Sequence, residues 1–230
     1  MTVAPSPTRS ASVHLPVSLA FSAGFVDTLG FIALFGFFTA HVTGNFVLLG
    51  AALVQPHHGV IAKLLALPVF IASVAATRIY ERSLIRRKLN VAPRLLTAEF
   101  LCLLAFTALG LLATPLTDAD ALIATVVALS GVVAMSIQNA MSRTVFTTLS
   151  PTTVMTGNVT QLVIDGVDLV AGVHDEAAQA IRSRMGRFWP PVVAFAAGAA
   201  AGAAGFAIAG FAALALPTVL VFVLAVQAGR

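Results

Sequence analysis

Charge and cysteine are both scarce in this chain. Only 10% of its 230 residues are Asp, Glu, Lys or Arg, against roughly 25% in soluble domains. It lacks the polar side chains to cover a water-facing surface. A single cysteine, Cys102, excludes an intrachain disulfide and a cysteine-based metal cluster. No nucleotide loop, zincin motif, nucleophile elbow or CxxC occurs, which argues against an enzyme. The opening MTVAPSPTRSASVH runs into a long apolar span without an A-x-A-like cleavage site, so a cleaved signal peptide is not expected. Residues 1–15 read instead as a short disordered cytoplasmic tail.

What remains is oil. Hydrophobic residues make up 59% of the chain, and the mean hydropathy is +0.98. A span of about 20 mostly apolar residues crosses a bilayer as a helix. A membrane barrel needs alternating polarity, which the unbroken Ala, Leu, Val and Phe runs lack. The expectation is an all-α membrane protein forming one transmembrane domain over 16–230, with spans near 16–38, 59–79, 94–114, 120–142, 188–207 and 209–228. Its pI near 10.2 does not signal a nucleic-acid partner, because the basic residues cluster beside spans, as the positive-inside rule predicts. Tyr80 and Trp189, each the single residue of its kind, stand at span ends as interfacial aromatics do.

Two short apolar segments, about 43–55 and 156–169, each open on the same triplet. One is Thr43-Gly44-Asn45 and the other Thr156-Gly157-Asn158. Charge predicts how they run. Arg78, Arg82, Arg86, Arg87, Lys88 and Arg94 form one basic cluster and Arg182, Arg184 and Arg187 another, whereas the loop with Asp118 and Asp120 has no basic residue. If both triplet segments crossed fully, the first basic cluster would land outside. If each returns to the side it entered from, both basic clusters and both termini are cytoplasmic. Three spans and one half-helix per half then make an inverted internal repeat, the first over about 16–114 and the second over about 120–228. The triplets approach from opposite faces and are expected to meet near the midplane. Residues 171–187, acidic first and basic last, read as an interfacial amphipathic helix. Pro68 and Pro217 are expected to kink their spans.

The phrases AGFVDTLGF, FFTAHVTGNFVLLGAAL, AMSIQNAMSR and TTVMTGNVTQL resemble the signature segments of the YoaK-like family of bacterial multi-pass membrane proteins, a domain of unknown function. The resemblance runs over nearly the whole chain. It implies a location in the bacterial inner (cytoplasmic) membrane and supplies no substrate. In that family the second triplet is often Thr-Gly-Thr; here both copies keep asparagine.

Candidate site residues follow from what lipid tolerates. A helix that starts inside a membrane leaves about four N–H groups unpaired and a positive dipole end. Thr43, Gly44, Asn45, Thr156, Gly157 and Asn158 would cradle a small polar or anionic solute there, or would cap one another and bind the halves together. Asp27, with Thr28 beside it, falls within the first span, where a charge costs at least about 2.5–3.5 kcal/mol. It is read as a proton or cation coupler, or as an acid that caps a helix break or bonds Gln138 and Asn139 of the other half. Gln138 and Asn139 hold the matching place in the second half, as part of the same site or as interhelical glue. His41 would relay protons or simply hydrogen-bond. Glu99 would snorkel or pair with Arg94. Arg143 reads as a positive-inside anchor. His57 and His58 are weak evidence for a metal without carboxylate or cysteine partners, and no cofactor is expected. Gly198, Gly202 and Gly205 form a small-residue stripe suited to internal helix packing. The functional expectation is a small-solute transporter or channel, with Asp27 as the residue through which protons would be linked; the rivals are a non-transporting scaffold or accessory subunit and an intramembrane enzyme using Asp27 and His41.

Overall fold

The computed structural model describes residues 11–54 and 58–230. Most of the expected tail and His57 lie outside the described residues. Among the described residues, eight α-helices and one 3-10 turn follow one another: α1 (Ala11–Ala33), α2 (Gly44–Ala52), α3 (Val60–Arg86), α4 (Val91–Ala113), α5 (Leu122–Thr144), α6 (Met155–Val170), α7 (Asp175–Ala209), the 3-10 turn Gly210–Leu214, and α8 (Ala215–Gly229). No strand occurs among the described residues. Among the described residues, five segments are long and apolar enough to cross a membrane: His14–Ala33, α3, α4, α5 and the stretch Asp175–Gly229. The last is 55 residues long and bends back at the 3-10 turn, where Gly210 takes a positive φ of 56°. The last two expected spans, near 188–207 and 209–228, both fall within this stretch.

Contacts along the helices fix their directions. Gly198 of α7 packs on the Phe21 carbonyl of α1 and Gly202 on the Phe25 carbonyl, so α1 and α7 run parallel. A Cβ on either glycine, or on Gly24 facing the Phe195 carbonyl, would overlap backbone; the small-residue stripe is internal packing. From Gly110–Phe211 through Thr107–Thr218 and Phe100–Phe222 to Pro93–Gly229, α4 and α8 run antiparallel. Helices α3 and α5 start together, where Gly59 N–H donates to Asp120 Oδ1 (2.9 Å), and run parallel to the end of α5, where Arg143 comes beside Arg78 and α3 continues two turns further. His14, Leu15 and Ser18 of α1 face Leu224, Gln227 and Ala228 of α8. The start of α1, the α3–α4 turn, the end of α5 and the end of α8 thus share one end of the molecule. Between the helices lies a core that includes Leu29, Leu96, Leu103, Phe106, Met135 and Leu214, each 0% exposed.

Three expectations are corrected. The 171–187 segment is not a separate helix lying on a surface: Asp175–Arg187 is the first part of the 35-residue α7. At 1.5 Å per residue that helix is about 52 Å long, more than the roughly 30 Å hydrocarbon layer needs. Its charged part is the excess. Pro217 does not interrupt a span, because it is the third residue of α8, where the missing N–H costs no intrahelical bond. Helices α2 and α6 do not contact each other, so the two triplet helices do not meet.

Candidate functional site

The loop between α1 and α2 folds back onto α1. Phe35 and Gly36 adopt positive φ values of 56° and 77°, which reverses the chain after α1; Gly36 suits this without a Cβ penalty. Thr39 then wedges its methyl against Gly30 of α1 and Gly131 of α5. This brings the loop backbone to Asp27, which is 5% exposed. Asp27 Oδ1 accepts from Thr39 N (2.9 Å), Ala40 N (2.7 Å) and Thr39 Oγ1 (3.2 Å). Its Oδ2 faces His41 Nδ1 at 2.6 Å. One carboxylate oxygen organises the loop, and the other meets a titratable ring.

His41 is held between Phe195, edge-on with centroids 5.7 Å apart, and Phe38 at 6.2 Å. Its side chain keeps 33% exposure. The hydrogen bond that Nδ1–H donates to the Asp27 carboxylate raises the imidazole above its ordinary value of 6.5, against burial that lowers it and with help from the carboxylate's charge. The pair opens into a cavity of about 450 Å³, lined also by Thr28, Phe38, Thr43, Gly44, Val47 and Phe195. Five sequence candidates, Asp27, Thr28, His41, Thr43 and Gly44, therefore share one cavity.

The others do different work. Asn45 is fully buried, and its amide clasps its own loop: Phe38 N donates to Oδ1 (3.0 Å) and Nδ2 donates to Phe38 O (2.9 Å). Asn158, 1% exposed, does likewise, donating to Ser150 Oγ and Pro151 O (both 2.8 Å). Thr43 makes no side-chain cap. Moreover, the first N–H groups of α2 are not orphans: Gly44, Asn45 and Phe46 donate to the carbonyls of His41, Val42 and Thr43. The expected open row of donors is absent from α2. Thr156 and Gly157 are exposed on the first turn of α6. Gln138 points inward, donating to Leu19 O and Thr152 Oγ1 (both 2.9 Å), while its neighbour Asn139 faces a second cavity with Arg78 and Arg143. The adjacent amides thus belong to two places.

Glu99 neither snorkels nor pairs. It is fully buried, both carboxyl oxygens lack a partner among the described residues, and Arg94 turns to Asn90 O. Two polar anchors are absent from the sequence reading. Lys63, 4% exposed, donates to His58 O (2.7 Å) and pins the loop before α3. Arg184 of α7 grips both oxygens of buried Asp165 of α6. Both acid and base were visible in the sequence, yet helix spacing relates residues within a helix and says nothing of partners on the next one. His58 lies 3.8 Å from Asp120, and no group of three His, Cys, Asp or Glu residues suited to a metal occurs among the described residues.

A family model described as "Protein of unknown function (DUF1275)" matches residues 15–227. The YoaK-like resemblance is consistent with it. No curated protein and no solved structure matches the chain.

Proposed function

Because the chain belongs to that family of unknown function, family membership leaves the activity open, and we propose from the geometry that it is a small-solute transporter or channel coupled to protons through Asp27 and His41. The single observation behind this reading is the buried carboxylate–imidazole pair at 2.6 Å facing an open cavity of about 450 Å³. An ionisable residue within a membrane span is a functional candidate when it faces a cavity. In the proposed cycle a proton moves between Asp27 Oδ2 and His41 Nδ1. The solute's polar group rests against His41, Thr28 and Thr43, and the loop 34–43 with α2 forms the movable wall. The role is not enzymatic, and no cofactor is required.

The reading includes an inverted repeat. Two wiring patterns support it. Asn45 and Asn158 each bond the carbonyl seven residues upstream, at Phe38 and Pro151. Asp27 bonds Thr39 as Gln138 bonds Thr152, and the two threonines precede their asparagines by the same interval. The loops thus fold back from opposite ends of the molecule. On this reading α1, α3, α4, α5, the second part of α7 and α8 cross, α2 and α6 are half-helices, and the arginine-rich end with both termini is cytoplasmic in a bacterial inner membrane.

The second reading is a scaffold, favoured by the way Asn45, Asn158 and Gln138 bond their own chain. Proteoliposomes with a trapped pH dye separate the two. Imposed proton gradients, with amino acids, sugars and small anions offered in turn, should drive flux in the wild type and not in Asp27→Asn. Absence of any flux from folded wild-type protein across that set sinks the transport reading. Reporter fusions at Arg86 and Asp118 test the topology, which requires opposite sides.

A further inference from the structure

The second cavity, between α3 and α5, is graded like a lipid. It holds about 410 Å³ and is lined by Phe70, Val74, Arg78, Asn139, Ala140, Arg143 and Thr144. On α3, Phe70, Val74 and Arg78 follow one another at four-residue intervals, so they lie on one face. The apolar pair sits one and two turns deeper than the guanidinium. On α5, Ala140 and Asn139 likewise lie deeper than Arg143. The floor is hydrocarbon and the rim is cationic.

The rim continues. A neighbouring cleft of about 580 Å³ shares Arg78 and adds Arg82 and Arg86, with Ile79 and Ile85 between them. Those isoleucines are 67% and 54% exposed. Arg78 is braced by the carboxylate of Glu81, 2.5 Å away, whereas Arg82, Arg86 and Arg143 form no ion pair among the described residues. Four guanidiniums against one acid leave three uncompensated cations. The Asn139 amide donates to nothing among the described residues. A loop of basic residues near a span is ordinary membrane orientation. Here, however, Arg78 stands two turns inside α3 over an apolar slot, which such orientation does not require.

We propose that this slot binds an anionic membrane phospholipid. Its phosphodiester rests between Arg143, Arg78 and the Asn139 amide, and one acyl chain runs down beside Val74 and Phe70. Arg82 and Arg86 hold the remaining headgroup charge. A free phosphate or carboxylate would use the rim and leave the apolar floor without purpose, so the lipid is the better match. The site is independent of the Asp27 cavity and of any transport role.

The test uses the full chain purified in a neutral detergent. Phosphatidylglycerol, phosphatidylcholine and inorganic phosphate are added separately. Melting temperature and lipid retained in native mass spectrometry are read. Phosphatidylglycerol should raise the melting temperature and stay bound as a single copy, and phosphatidylcholine and phosphate should do neither. Arg143→Gln should weaken retention about five-fold, the worth of one basic side chain at an anionic headgroup, and Arg94→Gln should leave it unchanged. Val74→Trp fills the slot without touching charge and should also lower retention. Equal retention of the two lipids, stabilisation by phosphate alone, or full retention by Val74→Trp would each overturn the proposal.

Discussion

Replacing Asp27 separates its two oxygens. In Asp27→Ala the buried N–H groups of Thr39 and Ala40 lose their acceptor. Each unsatisfied buried donor costs about 1–3 kcal/mol, so the loss is about 2–6 kcal/mol, a large part of the roughly 5–15 kcal/mol that holds a typical domain together. Asp27→Asn keeps an oxygen for both amides. Its NH₂ group then faces His41 Nδ1 and still donates to a neutral imidazole. Only the charge-assisted part of that bond is lost, about 1 kcal/mol. The alanine variant should therefore be less stable than the asparagine variant by about 2 kcal/mol or more. A thiol-reactive dye at Cys102, the single cysteine and partly buried, reports unfolding. The pH dependence gives a second readout. The folded-state imidazole value is raised above 6.5, so the pair's contribution is fully present below 6.5 and is lost as pH rises through the folded value. The difference between wild type and Asp27→Asn should shrink over that rise. Equal melting of the two variants, or a difference that grows with pH, refutes the assignment of separate roles to Oδ1 and Oδ2.

Two further outcomes are expected. Gly198→Ala drives a methyl into the Phe21 carbonyl and should cost about 1–3 kcal/mol, whereas Gly166→Ala enters open space and should gain about 0.8–1 kcal/mol of helix propensity; melting temperatures that move in the same direction refute the packing argument. Arg184→Gln strips Asp165 of its fork and should speed amide exchange in Met155–Val170, while Arg182→Gln should not; equal exchange in the two variants removes this anchor from α6.

The helices were legible because lipid demands long apolar runs, and the starts of α2 and α6 were legible because Gly and Asn interrupt them. The Thr-Gly-Asn triplets, however, carry their structural message in the third residue. Asparagine has both a donor and an acceptor and can clasp a backbone segment one turn or more away, which a threonine hydroxyl does less completely. Sequence adjacency also misled at Gln138 and Asn139: neighbours on a helix point about 100° apart, so one entered the core and the other a cavity. The continuity of α7 was hidden by its change from polar to apolar composition. Hydropathy reports the surroundings of a helix, not where it ends. Lys63 and the Asp165–Arg184 pair depended on tertiary placement alone.

The glycine seam between α1 and α7 sets a limit on motion. Where backbone lies directly on backbone, no side chain can change rotamer to absorb a slip, so the two helices travel as one rod. Asp27 and Phe195, on opposite members of that rod, keep their spacing whatever the rest of the molecule does. If the cavity beside His41 opens as the transport reading requires, the α2 side moves, hinged where Phe35 and Gly36 turn the chain.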